Sequence, residues 1–235
     1  MVLYDLFTQA PSGRHGLLAV LAFVVALLSA LVLHEIAHGL VALWNGDPTA
    51  KLYGRLSLNP VRHFDWIGLV LMFLVGFGWA KPVPVNYNNF KNRKVGAITV
   101  SIAGVLTNLL LAFFAALGWV LFGKISPQNE GTAYFVYFMQ ALSSLILQLN
   151  VTFALFNILP LYPMDGYRLL SCFVNENNGA MRFLRRYSLY ILLGFILLNS
   201  FSRFYFISPL YWYLQQFGGL IESGFYNFWR LIFNG

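Results

Sequence analysis

Charge is scarce in this chain. Asp, Glu, Lys and Arg make up 10% of its 235 residues, against about 25% in an ordinary soluble domain, and the mean hydropathy is +0.67. That excludes a typical water-soluble globular protein and leaves no room for a second large soluble domain. Cysteine is nearly absent. Cys172 stands alone, which excludes an intrachain disulfide and a Cys-rich metal site. A nucleophilic role would need a partnered histidine that the sequence does not supply, so Cys172 reads as a semi-buried thiol. Repeats and low-complexity segments are also missing. The net charge of +7 comes without a basic stripe or a binding motif, which argues against nucleic acid as a partner. The positive balance fits basic cytoplasmic loops beside anionic lipid head groups of a cell membrane.

What the chain does have is long apolar runs. The first covers residues 17–44, long enough to cross about 30 Å of hydrocarbon. It continues past any plausible signal-peptide core, so it reads as an uncleaved span. Further spans are expected over 97–122, over 134–160 and from 189 onward. Residues 66–80 are apolar but short, as in a re-entrant or interfacial segment. The aromatic-rich residues 204–235 fit either a tilted span or an interfacial helix. Between the spans, residues 49–62 alternate in polarity. They suggest a small interfacial β-hairpin, whose edge would pair with an extended peptide, or an ordinary loop. Lys81-Pro82-Val83-Pro84-Val85-Asn86 cannot be helical. The expected fold is an all-α, multi-pass membrane protein of about four to six membrane helices, with the hairpin and the short re-entrant piece. Residues 1–235 form one domain, with a core over roughly 17–170 and C-terminal helices over 189–235.

Inside the first run lies His34-Glu35-Ile36-Ala37-His38. Histidines four apart stand one turn apart on one helix face, where both imidazoles reach one metal ion. Glu35 between them is placed to serve as general base toward a water at that metal. Ionisable groups at lipid depth are costly, so these three should serve a function or pair with something. A catalytic zinc takes three protein ligands and an open position. His15 lies about 30 Å away by helix rise and is excluded as the third. His63 remains open. Asp165, in Asn157-Ile158-Leu159-Pro160-Leu161-Tyr162-Pro163-Met164-Asp165-Gly166, stands at the end of an apolar span, where the prolines break the helix and Gly166 permits a tight turn. It also fits a simple helix cap. Basic residues cluster in 45–65, 81–95 and 161–188, so the positive-inside rule puts these three segments in the cytoplasm. The motif end of the first span then shares a side with Asp165, provided 66–80 enters and leaves on that side.

These residues resemble the site-2 protease family of intramembrane zinc metalloproteases, in its compact branch without a PDZ domain. The resemblance rests on His34 to Gly39, on the Asn157-to-Gly166 pattern, on Ala103-Gly104-Val105-Leu106-Thr107-Asn108 and on Gly78-Trp79-Ala80-Lys81-Pro82-Val83-Pro84-Val85-Asn86. It departs from the family at Val105 and Trp66, where proline is usual. It implies a zinc metalloendopeptidase with one Zn2+ per chain, held by His34, His38 and Asp165, with Glu35 activating the water. It implies that Asn157 orients substrate or steadies the oxyanion, and that Asn108 has a structural or substrate-positioning role. The implied substrate is a single-span membrane protein or a signal-peptide remnant, cut in or near its membrane segment close to the cytoplasmic side, as in regulated intramembrane proteolysis. The hairpin at 49–62 would hold it extended. A non-catalytic zinc-binding scaffold and an intramembrane His/Asp transporter are the alternatives. Glu35 argues against the first, and the lack of an internal repeat against the second. Substrate identity and homo-oligomerisation are not readable.

Overall fold

The computed structural model describes residues 13–66, 68, 80–201 and 209–234. The expected re-entrant segment therefore lies almost wholly outside the described residues. Helices dominate. α1 (Arg14–Trp44) is followed by the short α2 (Thr49–Leu52), then α3 (Arg93–Phe122), α4 (Glu130–Asn157), α5 (Asp165–Ser171), α6 (Gly179–Phe201) and α7 (Pro209–Asn234). Three of them, α1, α3 and α4, are long and apolar enough to cross a membrane. Local chemistry sets their ends. Asn92 caps α3 by accepting from the Val95 N–H, and Asn129 and Thr132 form a reciprocal capping box at the start of α4. α1 stops at Asn45 and at Gly46, whose φ of 107° is left-handed backbone.

α1, α3 and α4 pack against one another as a three-helix bundle. In α1 every fourth residue from Ala22 to Ala42 is buried: Ala22, Ala26, Ala30, His34, His38 and Ala42. α3 repeats the device with Gly96, Val100, Gly104, Asn108, Ala112, Ala116 and Val120. In lipid, apolar burial alone does not draw helices together, so close backbone approach through small residues carries much of the association. The two histidines continue the α1 alanine row and therefore point into the seam. Phe23 and Leu27 of α1 pack on Leu145 of α4, while Ala112 and Ala116 of α3 pack on Leu147 and Val151. α7 lies along α3 and α4. Its Trp229 Nε1–H donates to Phe113 O at 2.8 Å and its Tyr213 hydroxyl to Leu155 O at 3.3 Å.

The expected hairpin at 49–62 does not form. Asp47 accepts from the Thr49 N–H and hydroxyl and starts α2 instead. Gly54, with φ 63°, turns the chain, and Asn59 caps a 3-10 turn at Pro60–His63. The Asp47 bonds to Thr49, the Asn59 cap and the proline at the start of the 3-10 turn override the alternation. The one extended pairing described nearby is a single antiparallel bridge, Phe64 with Ala80. From there Lys81–Asn86 runs extended beside the end of α1. α3 continues without a break through Val105, so the missing proline leaves a regular helix.

Asp47 ties this end together. Its carboxylate is fully buried and also accepts from the Asn86 N–H at 2.7 Å and Asn89 Nδ2 at 2.7 Å. Burial pushes its ionisation upward, but these hydrogen bonds outweigh that and hold it below the ordinary carboxylate value. A depressed folded-state value contributes stability that is complete above the unfolded value and is lost as pH falls through the folded one. Asp47→Asn should therefore cost roughly 1–3 kcal/mol at neutral pH. Thermal unfolding in detergent checks this, and the gap to wild type should close below about pH 4.

Candidate metal centre

His34 and His38 sit about 15 and 9 Å by helix rise from the end of α1. Their partners come from the next helix. His38 Nδ1 lies 2.7 Å from Val100 O and His34 Nδ1 lies 3.0 Å from Asn108 Oδ1, both on α3. Carbonyl oxygens only accept, so each Nδ1 carries the hydrogen and each Nε2 is left with a lone pair. Gly104 makes room: a methyl group there would overlap the His34 ring. The Gly104–Asn108 spacing of one turn thus seats one imidazole from two sides.

Asp165 arrives from the far end of the bundle's third helix. α4 ends at Asn157, and Pro160 and Pro163 prevent its continuation; the Tyr162–Pro163 peptide is cis. The chain folds back so that Asp165 opens α5, which packs on α3. Gly166 is required here for closeness rather than for a special φ, since a Cβ would overlap the carbonyl oxygens of Ile158 and Leu159. The buried Asp165 Oδ2 then lies 3.2 Å from His34 Nε2 and 3.1 Å from His38 Nε2, and the two Nε2 atoms are 3.0 Å apart.

Three lone-pair atoms therefore converge in a buried pocket, and Asp165 Oδ2 makes no regular hydrogen bond. Electron-rich atoms at this distance repel unless a cation lies among them. One proton bridges a single pair, whereas a metal ion engages all three. Tetrahedral bonds of 2.0–2.1 Å to zinc imply ligand separations of about 3.3 Å, close to those present. The donor set fits zinc: two neutral imidazoles with fixed Nδ1–H partners and one carboxylate.

Glu35 stands apart from this trio. Half-buried, its Oε2 accepts the Val83 N–H at 2.8 Å. Asn157 is half-buried at the end of α4, its Nδ2 donating to Phe153 O at 3.0 Å, and no hydrogen bond joins it to the trio. Asn108 is fully buried and contacts His34. His63 is buried, bonded through Nε2 to Ser57 O, and does not belong to the cluster. His15 packs between Tyr134 and Tyr137 at the bundle's opposite end. Sequence reasoning gave Arg55 no role, and named Gly104 and Val83 only within the stretches that carry the family resemblance, with no role of their own. Gly104 was legible in the every-fourth small-residue row of α3.

No family model matches the chain, and no solved structure matches it significantly. Curated relatives do. Over 147 residues it is 44% identical to a Bacillus subtilis protein named "Putative zinc metalloprotease YwhC", a stretch covering 63% of this chain and 66% of that one. It is 27% identical over 216 residues to the Rip2 protein of Mycobacterium tuberculosis, covering 86% of this chain and 79% of the relative. A Synechocystis relative, sll0528, is 26% identical over 180 residues, covering 74% of this chain and 38% of its own length. Both of these carry the same zinc metalloprotease designation. The chain belongs to this family, the site-2 protease family that its motifs resemble.

If Asn108 orients His34, Asn108→Leu should weaken zinc affinity about 10- to 100-fold while leaving the bundle folded. Zinc titration against a competing chelator, beside a melting curve, checks this.

Proposed function

We propose that this chain is an intramembrane zinc metalloprotease that hydrolyses peptide bonds in or near membrane-spanning segments. The observation that carries the reading is the convergence of His34, His38 and Asp165 beside three long apolar helices, with Glu35 immediately after His34 in the chain. Zinc bound there would supply a Lewis acid that brings water to near-neutral ionisation. The remaining chemistry belongs to the protein. Glu35 takes a proton from the attacking water and returns it to the leaving amide nitrogen. Its second oxygen has no hydrogen bond among the described residues, the Val83 N–H being held on Oε2. Asn108 and the Val100 carbonyl keep both imidazoles in the ligating tautomer throughout. Asn157 is the candidate for steadying the developing oxyanion, once its amide leaves Phe153 O.

α1 ends, α3 begins and α4 returns at the end of the bundle nearest the site. Lys91, Arg93, Lys94 and Arg168 belong to the segments gathered there, which supports a cytoplasmic position for that end. The substrate we propose is a single-span membrane protein or a signal-peptide remnant. Its helix must unwind locally, because a helical backbone has its carbonyls engaged.

Glu35→Gln should retain stoichiometric zinc and lose cleavage of a single-span substrate by at least about 100-fold. Asp165→Ala should lose both zinc and cleavage. Metal analysis and a cleavage assay on detergent-purified protein read the two effects. Full zinc and activity in Asp165→Ala would overturn the ligand set, and zinc without any cleavage by wild type would favour a scaffold.

A further inference from the structure

The Lys81–Asn86 strap carries an unusual pattern of backbone donors. Proline has no N–H, so Pro82 and Pro84 leave Val83 as the sole donor between Lys81 and Val85. That single N–H points at Glu35 Oε2, 2.8 Å away. The strap is anchored on both sides of the contact. Before it, the Lys81 N–H donates to His63 O at 2.8 Å, and the Lys81 carbonyl accepts from the Arg55 guanidinium. After it, the Asn86 N–H donates to Asp47 Oδ2. Arg55, His63 and Asp47 are all buried, at 7%, 1% and 0% exposure. Burying an arginine is costly without partners, and its described hydrogen bond is to the strap, with Glu35 supplying opposite charge nearby.

α1 is shaped to receive this strap. Gly39 lies one turn beyond Glu35 on the same helix face. A Cβ at Gly39 would press on Val83 Cγ1 and Leu56 Cδ2. The buried Val83 side chain thus occupies the hollow that glycine leaves, while its N–H meets the carboxylate one turn earlier.

We infer that the strap is a positioning device for the general base, with the Val83 N–H fixing the Glu35 carboxylate and Arg55, His63 and Asp47 fixing the strap. This rests on the protease reading given above. A glutamate side chain has several rotamers, and a base must be held within reach of the proton it takes. An amide on one oxygen restricts the carboxylate and leaves the other oxygen to work. Val83 and Arg55 are positioning residues; neither needs to touch substrate or metal.

The test uses the full chain in detergent with a single-span substrate, measuring kcat, KM, zinc content and melting temperature. Val83→Pro deletes the N–H. It should lower kcat roughly ten- to a hundredfold, with KM within about twofold and zinc unchanged. Val83→Ala keeps the N–H and loses only packing, so its kcat should fall several-fold less. Arg55→Met should follow Val83→Pro, and the double variant should be no slower than the slower single, because both act through one contact. Equal losses in Val83→Pro and Val83→Ala, or losses that multiply in the double variant, would overturn the inference.

Should Val83→Pro fail to fold, amide exchange in Glu35→Ala decides the matter. A peptide covering the strap has few exchangeable amides, and one of them should exchange faster than in wild type. Unchanged exchange overturns the contact. Wild-type protein that holds zinc yet cleaves nothing would instead bring down the protease reading, which the exchange result is independent of.

Discussion

Two imidazole nitrogens and a carboxylate oxygen hold lone pairs toward one another within 3.2 Å, inside apolar protein. That arrangement is unfavourable by itself, and the rest of the structure exists around the need to maintain it. α3 supplies the acceptors that fix both Nδ1 hydrogens. Glycines at 104 and 166 allow the ring and the returning chain to come close. The bundle excludes bulk water that would otherwise solvate the donors. A cation at the centre converts the repulsion into attraction, so the fold and the metal preference are the same fact seen from two sides.

The seam that brings the donors together is made of small residues. Alanine and glycine at every fourth position let α1 and α3 approach closely along their length, and histidine takes two successive places in the α1 row. Larger side chains nearby would hold the helices apart and move His34 away from Asn108. α7 reinforces the pair from outside. Its indole and phenol donate to backbone carbonyls, Phe113 O within α3 and Leu155 O in the last turn of α4. Such bonds cost little desolvation and fix one helix on another with defined register.

Much of this was legible beforehand. The long apolar helices, the histidine pair and the helix break before Asp165 follow from hydrophobic run length, from four-residue spacing and from proline placement, whereas Asp165 as third donor came from the family resemblance, since the residues alone left His63 and a simple helix cap open. The hairpin at 49–62 was misread because alternation over a short segment is weak evidence, and Asp47, Asn59 and Pro60 each favour a helical turn. The helices after residue 179 were less legible still: α6 begins at Gly179, ahead of the span expected from 189, since Arg182, Arg185 and Arg186 are tolerated in a helix end but mask the apolar pattern. The contact between Glu35 and Val83 joins residues 48 apart, and no local pattern encodes such a pairing. Only the Pro-Val-Pro sequence hinted at it, by leaving one donor where three would be ordinary.

The order of the donors along the chain has a consequence for biogenesis. His34 and His38 belong to α1, which is made before α3 and α4, while Asp165 follows more than a hundred residues later, beyond the end of α4. From His38 until Asp165 has been added, a nascent chain therefore carries only two of the three donors. The full donor set is withheld until α3 and α4 have been threaded and α5 has folded back. Chains halted or wrongly inserted before that point lack the third donor, so under the proposed function an unfinished molecule would not yet be able to bind its metal or act on a substrate.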